Sequence, residues 1–124
     1  MSFLGRINFI PLVAAALVAV SGCSPTAQGQ LEDEKEPHFG LGKSRINQMD
    51  YPGAVEAFQQ ALEVNPRSAA AHFQLAWLFE AKESDPAAAI YHYQQYLKFD
   101  PAARNAEVIR QRIESCKQQL AANV

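Results

Sequence analysis

A pattern of small residues, aromatics and proline occurs twice along the chain. Leu41-Gly42 is followed 34 positions later by Leu75-Ala76. Ala54-x3-Phe58-x2-Ala61-x4-Pro66 returns as Ala89-x3-Tyr93-x2-Tyr96-x4-Pro101. The two prolines lie 35 apart, so the second copy carries one extra residue, most simply in the loop around Glu83–Asp85. A unit of this length is one supersecondary element that cannot bury its own apolar face, so copies must stack on their neighbours. The small residues Gly42, Ala54 and Ala61 remove bulk where two helices cross closely, and Phe58 fills the space beside them.

Helix punctuation divides each unit in two. Asp50 precedes Tyr51-Pro52, Asp85 precedes Pro86 and Asp100 precedes Pro101. An aspartate accepts from the free N–H groups of a helix start, and proline suits the first turn, where its missing N–H has no partner to lose. The predicted segments are 37–49, 52–64, 68–82, 86–99 and 102–121. The last is not a third copy, because Arg110 and Gln111 stand where Leu and a small residue would be needed. Ala106, Ile109, Ile113, Cys116 and Leu120 instead form a stripe at 3-4-3-4 spacing, with Arg110, Arg112, Glu114, Lys117 and Gln118 on the other faces. This predicts an amphipathic cap over the exposed side of the second copy. An alanine-rich chain with few runs of Val, Ile and Thr agrees with an all-α fold.

The stretch from about residue 35 to 101 resembles the tetratricopeptide repeat, a helix–turn–helix that stacks into an α-α superhelix. The resemblance implies a domain over 36–121, with repeats at about 35–68 and 69–103 and a capping helix at 102–121. Arg45 departs from the family, standing where the first helix usually has an aromatic, and Tyr96 replaces a small residue. His38 and His72 occupy positions where the family often has a bulky side chain, which favours packing roles for both. Two repeats and a cap narrowly meet the roughly three units such arrays need. No cap precedes the first repeat, which leaves its face for a partner or a second copy.

Residues 1–23 differ in character. Arg6 is the only charge before Glu32, and Ile10–Val20 is an apolar stretch broken only by Pro11. That length suits a secretory signal and falls short of the ~20 apolar residues of a membrane span. Val20-Ser21-Gly22-Cys23 resembles the lipobox of bacterial lipoproteins. The resemblance implies a signal peptide at 1–22, cleavage before Cys23, and a covalent lipid on Cys23 with no other cofactor. Ser24, where proteins retained in the inner membrane carry Asp, implies an outer-membrane protein facing the periplasm. Residues 23–35 are polar, then acidic, without a hydrophobic period, and read as a flexible tether reaching about 15–20 Å.

Eleven Lys and Arg against 13 Asp and Glu give a net charge of −2, which excludes the basic footprint of a nucleic-acid binder. The histidines, His38, His72 and His92, have no metal-ligand spacing, and there is no phosphate loop or nucleophile elbow. Neither an enzyme nor a metal site is expected. Cys116 falls on the apolar stripe and reads as a core thiol; Tyr93, Tyr96 and Leu97 read as a buried stripe beside His92. Superposing the repeats places Phe39 and Lys43 on Phe73 and Trp77, each pair at i,i+4 and on one helical face. In tetratricopeptide proteins this face of the first helix lines a concave groove. The resemblance therefore implies a protein- or peptide-binding floor of Phe39, Lys43, Phe73 and Trp77, with Arg112 at the rim. The family's clamp for acidic peptide C-termini is not reproduced, because aromatics stand at several of its places. The residues also allow Phe73 and Trp77 to be core. Two functions follow as expectations: a lipid-anchored interaction or scaffolding module with a protein partner in the cell envelope, or a structural repeat that self-associates into a homo-oligomer.

Overall fold

The computed structural model describes residues 25–124, and every element within them is helical. In chain order these are α1 (Pro25–Lys35), α2 (Pro37–Asn47), α3 (Tyr51–Val64), α4 (Ala69–Ala81), α5 (Pro86–Phe99) and α6 (Ala106–Ala122). Each packs against its successor, and α1 also touches α4. The expected signal peptide and cleavage site, and Cys23 with its expected lipid, lie outside the described residues. Among the described residues no helix is long and apolar enough to cross a membrane.

Side-chain caps fix four of the starts. Glu36, Asp50, Ser68 and Asp85 accept from the backbone N–H three residues on, at 2.7, 3.0, 3.0 and 3.0 Å. The α2–α3 and α4–α5 turns are closed by Met49 and Ser84, which hold φ at 59° and 53° in the left-handed region. Ser84 lies in the loop assigned the extra residue of the second repeat.

Two apolar clusters form the core and share α4. Phe39, Ala54, Phe58, Ala61, Ala71, Leu75 and Leu78 make the first. Ala76, Ala89, Tyr93, Tyr96, Ile109, Ile113 and Cys116 make the second. Because α4 lies between them, its sequence is apolar on nearly every face. Gly42 acts as its place in the repeat predicts: a Cβ there would stand 2.7 Å from Phe58 Cζ.

Four expectations need correction. The predicted tether is a helix over most of its length, and α1 packs on α2 and α4, so the first repeat is preceded by a packed helix and its leading face is not left bare as expected. Helix α1 is fastened by a polar contact, since Asn65 Nδ2 donates to Oδ1 of the buried Asp33 at 3.3 Å. The last helix begins at Ala106 rather than 102, with turns in between, so the Asp100 side chain caps no helix start. The apolar stripe of α6 ends at Cys116, because Leu120 is exposed.

Candidate functional site

A cleft of about 700 Å³ opens between α1, α2, the first half of α4 and the connection from α5 to α6. Its aromatic lining comes from Phe39 on α2, Phe73 on α4, and Tyr96 and Phe99 on α5. Phe39 and Phe73 are one repeat apart, so stacking the units brings both to the same side. Phe39 is 4% exposed and sets its edge against Phe58, with ring centroids 5.3 Å apart. It therefore serves the core and the cleft floor together. Phe73 is half-buried against Tyr96, centroids 5.2 Å apart, and the exposed Lys43 lines the cleft from α2.

The structure thus brings Phe39, Lys43 and Phe73 together and leaves Trp77 and Arg112 out. Trp77, one turn beyond Phe73, packs against the first core cluster with the Lys82 ammonium 5.6 Å above its ring. Arg112 lies in a bolt between helices: Glu80 Oε2 accepts from its guanidinium at 2.8 Å and from the Tyr93 hydroxyl at 2.5 Å. Burial, then Glu80, pushes the Tyr93 phenol well above its ordinary range.

Sequence reasoning missed the contribution of α5 and the loop after it. Tyr96 stands where the first repeat has Ala61, so its ring reaches Phe73, and its hydroxyl donates to Asn105 Oδ1 at 2.7 Å. Its phenol is raised by burial and, second, by the charge of Asp100. The cleft's charged residues are Asp33, Glu34, Lys43, Arg67 and Asp100. The Arg67 guanidinium lies 5.6 Å above the Phe99 ring. The signal available was the repeated Asn65-Pro66 and Asp100-Pro101, which places two polar side chains at matching loop positions.

Behind the cleft, His72 and His92 form a buried pair with their Nδ1 atoms 3.0 Å apart. His72 Nε2 lies 3.1 Å from the Pro66 carbonyl, which only accepts, so Nε2 carries the proton. His72 Nδ1 then accepts from His92 Nδ1–H, which requires the His72 ring to be neutral. Burial, then the neighbouring His72, lowers His92 to about 4; burial lowers His72, offset in part by the Pro66 carbonyl. His92 also stacks on Phe79, centroids 5.6 Å apart. The Cys116 thiol is fully buried, and burial raises its pKa. Among the described residues no group of three or more His, Cys, Asp or Glu side chains is placed to hold a metal ion.

A search of curated proteins found no match to the chain. The tetratricopeptide repeat family matches residues 39–104, from α2 to just before α6. The match spans both helix pairs, and α1 and α6 lie outside it at either end. Two stacked helix–turn–helix units, the crossing of α2 and α3 at Gly42 and Phe58, and this match agree: the chain belongs to the tetratricopeptide repeat family.

Proposed function

We propose that this chain is a lipid-anchored, non-catalytic module of the bacterial envelope that holds a segment of a partner protein in the cleft beside Phe39 and Phe73. Tetratricopeptide repeats generally mediate protein–protein interactions. The observation that carries the reading is the cleft itself: two phenylalanines one repeat apart, extended by Tyr96 and Phe99, line about 700 Å³. That is room for a few side chains of an extended segment, with aromatic surface of the kind found at binding hot spots. The anchor is read from Val20-Ser21-Gly22-Cys23, and the outer membrane facing the periplasm from Ser24.

Photo-crosslinking in bacterial membranes tests both halves. A crosslinker at Lys43 should capture a partner that one at Met49 does not, and Phe73→Ala should abolish capture while the domain stays helical. Capture that survives Phe73→Ala would remove the cleft from the reading. Cys23→Ala should leave an unprocessed precursor that no longer enters the detergent phase; unchanged mobility and partitioning would overturn the anchor.

Self-association is the second reading. It is favoured by Leu31 and Leu41, which are 58% and 41% exposed on the first two helices. A monomeric mass by light scattering would count against it.

A further inference from the structure

Two buried carboxylates line the cleft. Asp33 is 6% exposed and Asp100 is 7% exposed. Asp33 Oδ1 accepts one hydrogen bond, from the neutral amide of Asn65. Asp100 Oδ1 is sealed from water and has no hydrogen-bond partner at all. The ion pairs among the described residues use Asp50, Glu80, Glu107 and Glu114, and none reaches either aspartate.

Asp100 owes its position to the repeat. Asp50 and Asp85 cap helices, whereas α6 begins at Ala106 and leaves Asp100 without that role. Its counterpart in the first repeat, Asn65, uses both ends of its amide: Oδ1 accepts from the Arg67 N–H and Nδ2 donates to Asp33. The cations on the cleft do not compensate, since Lys43 is exposed and Arg67 lies over Phe99. A carboxylate with one oxygen withheld from water and no cation or donor beside it carries a desolvation cost, which a well-placed cation offsets.

We infer that the cleft selects extended segments of a partner protein in which a lysine or arginine stands among apolar residues. This rests on the reading that the cleft holds a partner segment, and specifies which. The apolar stem of the basic residue runs over Phe73 and Tyr96, as such stems do on apolar surface. Its cationic head meets the Asp100 carboxylate, with Asp33 adding to the negative field, in a charge-assisted hydrogen bond. The flanking apolar side chains rest on Phe39 and Phe99. Lys43 and Arg67 repel a second cation, so a polybasic run is disfavoured. The preference is opposite in sign to that of a groove built to read an acidic peptide end.

The experiment uses the full chain in detergent micelles and selects from a library of short, end-blocked random peptides. Selected sequences should carry a single Lys or Arg between apolar residues. A fluorescent peptide of that pattern should bind at least about tenfold tighter than the same peptide with norleucine in place of the basic residue, the scale set by truncating one partner of a buried charge pair. Asp100→Asn should erase that preference by weakening the basic peptide and not the norleucine peptide. A merely structural Asp100 would weaken both peptides equally, which would overturn the inference. Should Asp100→Asn fail to fold, Asp33→Asn must reduce the same preference, or the inference fails. Enriched peptides without a basic residue would overturn it and leave the proposed function standing. No enrichment at all would overturn both. Binding to phosphatidylethanolamine vesicles that Asp100→Asn abolishes, without peptide enrichment, would assign the carboxylate to a lipid amine and overturn it as well.

Discussion

Met49 closes the α2–α3 turn at φ 59° with its side chain exposed, so little packing offsets the left-handed backbone. The cost for an L-residue there is about 1–2 kcal/mol, and glycine avoids it while losing more chain entropy on folding. Met49→Gly should therefore stabilise the domain by about 0.5–1 kcal/mol, measured by urea unfolding with an unchanged slope. The histidine pair acts in the opposite direction as pH falls. His72 and His92 both titrate below 6.5 when folded, His92 at about 4, so the unfolded chain binds more protons between those values. The stability their neutral forms provide is present above pH 6.5 and is lost as pH falls toward 4. A melting temperature that declines over this window should decline less in His92→Asn, which keeps a donor near the Nδ1 position but does not titrate. Equal profiles for the two proteins would show that carboxylates, not this pair, set the acid limit.

Among the elements, α6 is the one whose removal is most informative. Ending the chain at Asp100 uncovers Tyr93, Tyr96 and Ala89 by taking away Ile109, Ile113 and Cys116. At about 1.5–3 kcal/mol for each large buried apolar side chain, the loss is comparable to the ~5–15 kcal/mol that holds a small domain folded. It also strips Arg112 from Glu80. This truncation should abolish cooperative unfolding by circular dichroism, whereas ending the chain after Lys117 removes only exposed residues and should cost little. The α6 stripe was legible in the sequence because apolar spacing records which face a helix buries. So were α2 to α5, whose predicted starts fall within a residue of the observed ones, those of α3 and α5 marked by Asp50 and Asp85 before proline. The first helix was not legible, because Asp33 and Asn65 join it to the fold by a polar contact across the chain, which leaves no local period. The start of α6 misled for a related reason: the buried Ala106 opens the helix, and Asn105 beside it serves the Tyr96 hydroxyl rather than the helix end. The cleft was half legible. Repeat superposition found Phe39, Lys43 and Phe73, but attention to one helix of each pair passed over Tyr96, Phe99 and Asp100 on the other side.

Seen as a whole, the molecule is two apolar clusters joined through one helix. Leu75 and Leu78 of α4 belong to the first cluster, and Ala76 of the same helix belongs to the second. Phe79 packs against both. Neither repeat can therefore lose its core without disturbing the helix that the other depends on, although repeat arrays are in general sums of near-neighbour interactions that can separate when long. At two repeats and a cap, the coupling should produce one transition. Trp77 makes this measurable, because it is the only tryptophan and packs against the first cluster, while Tyr93 and Tyr96 are embedded in the second. Tryptophan fluorescence, near-ultraviolet tyrosine signals and helical circular dichroism should give coincident midpoints in denaturant, the mark of two-state unfolding. Ile113→Ala, in the second cluster and on a different helix, should shift the Trp77 midpoint as far as it shifts the others. A Trp77 transition that stays in place while the remaining signals move would mean that the first repeat stands without the second, and α4 would then be a hinge between two units rather than their shared core.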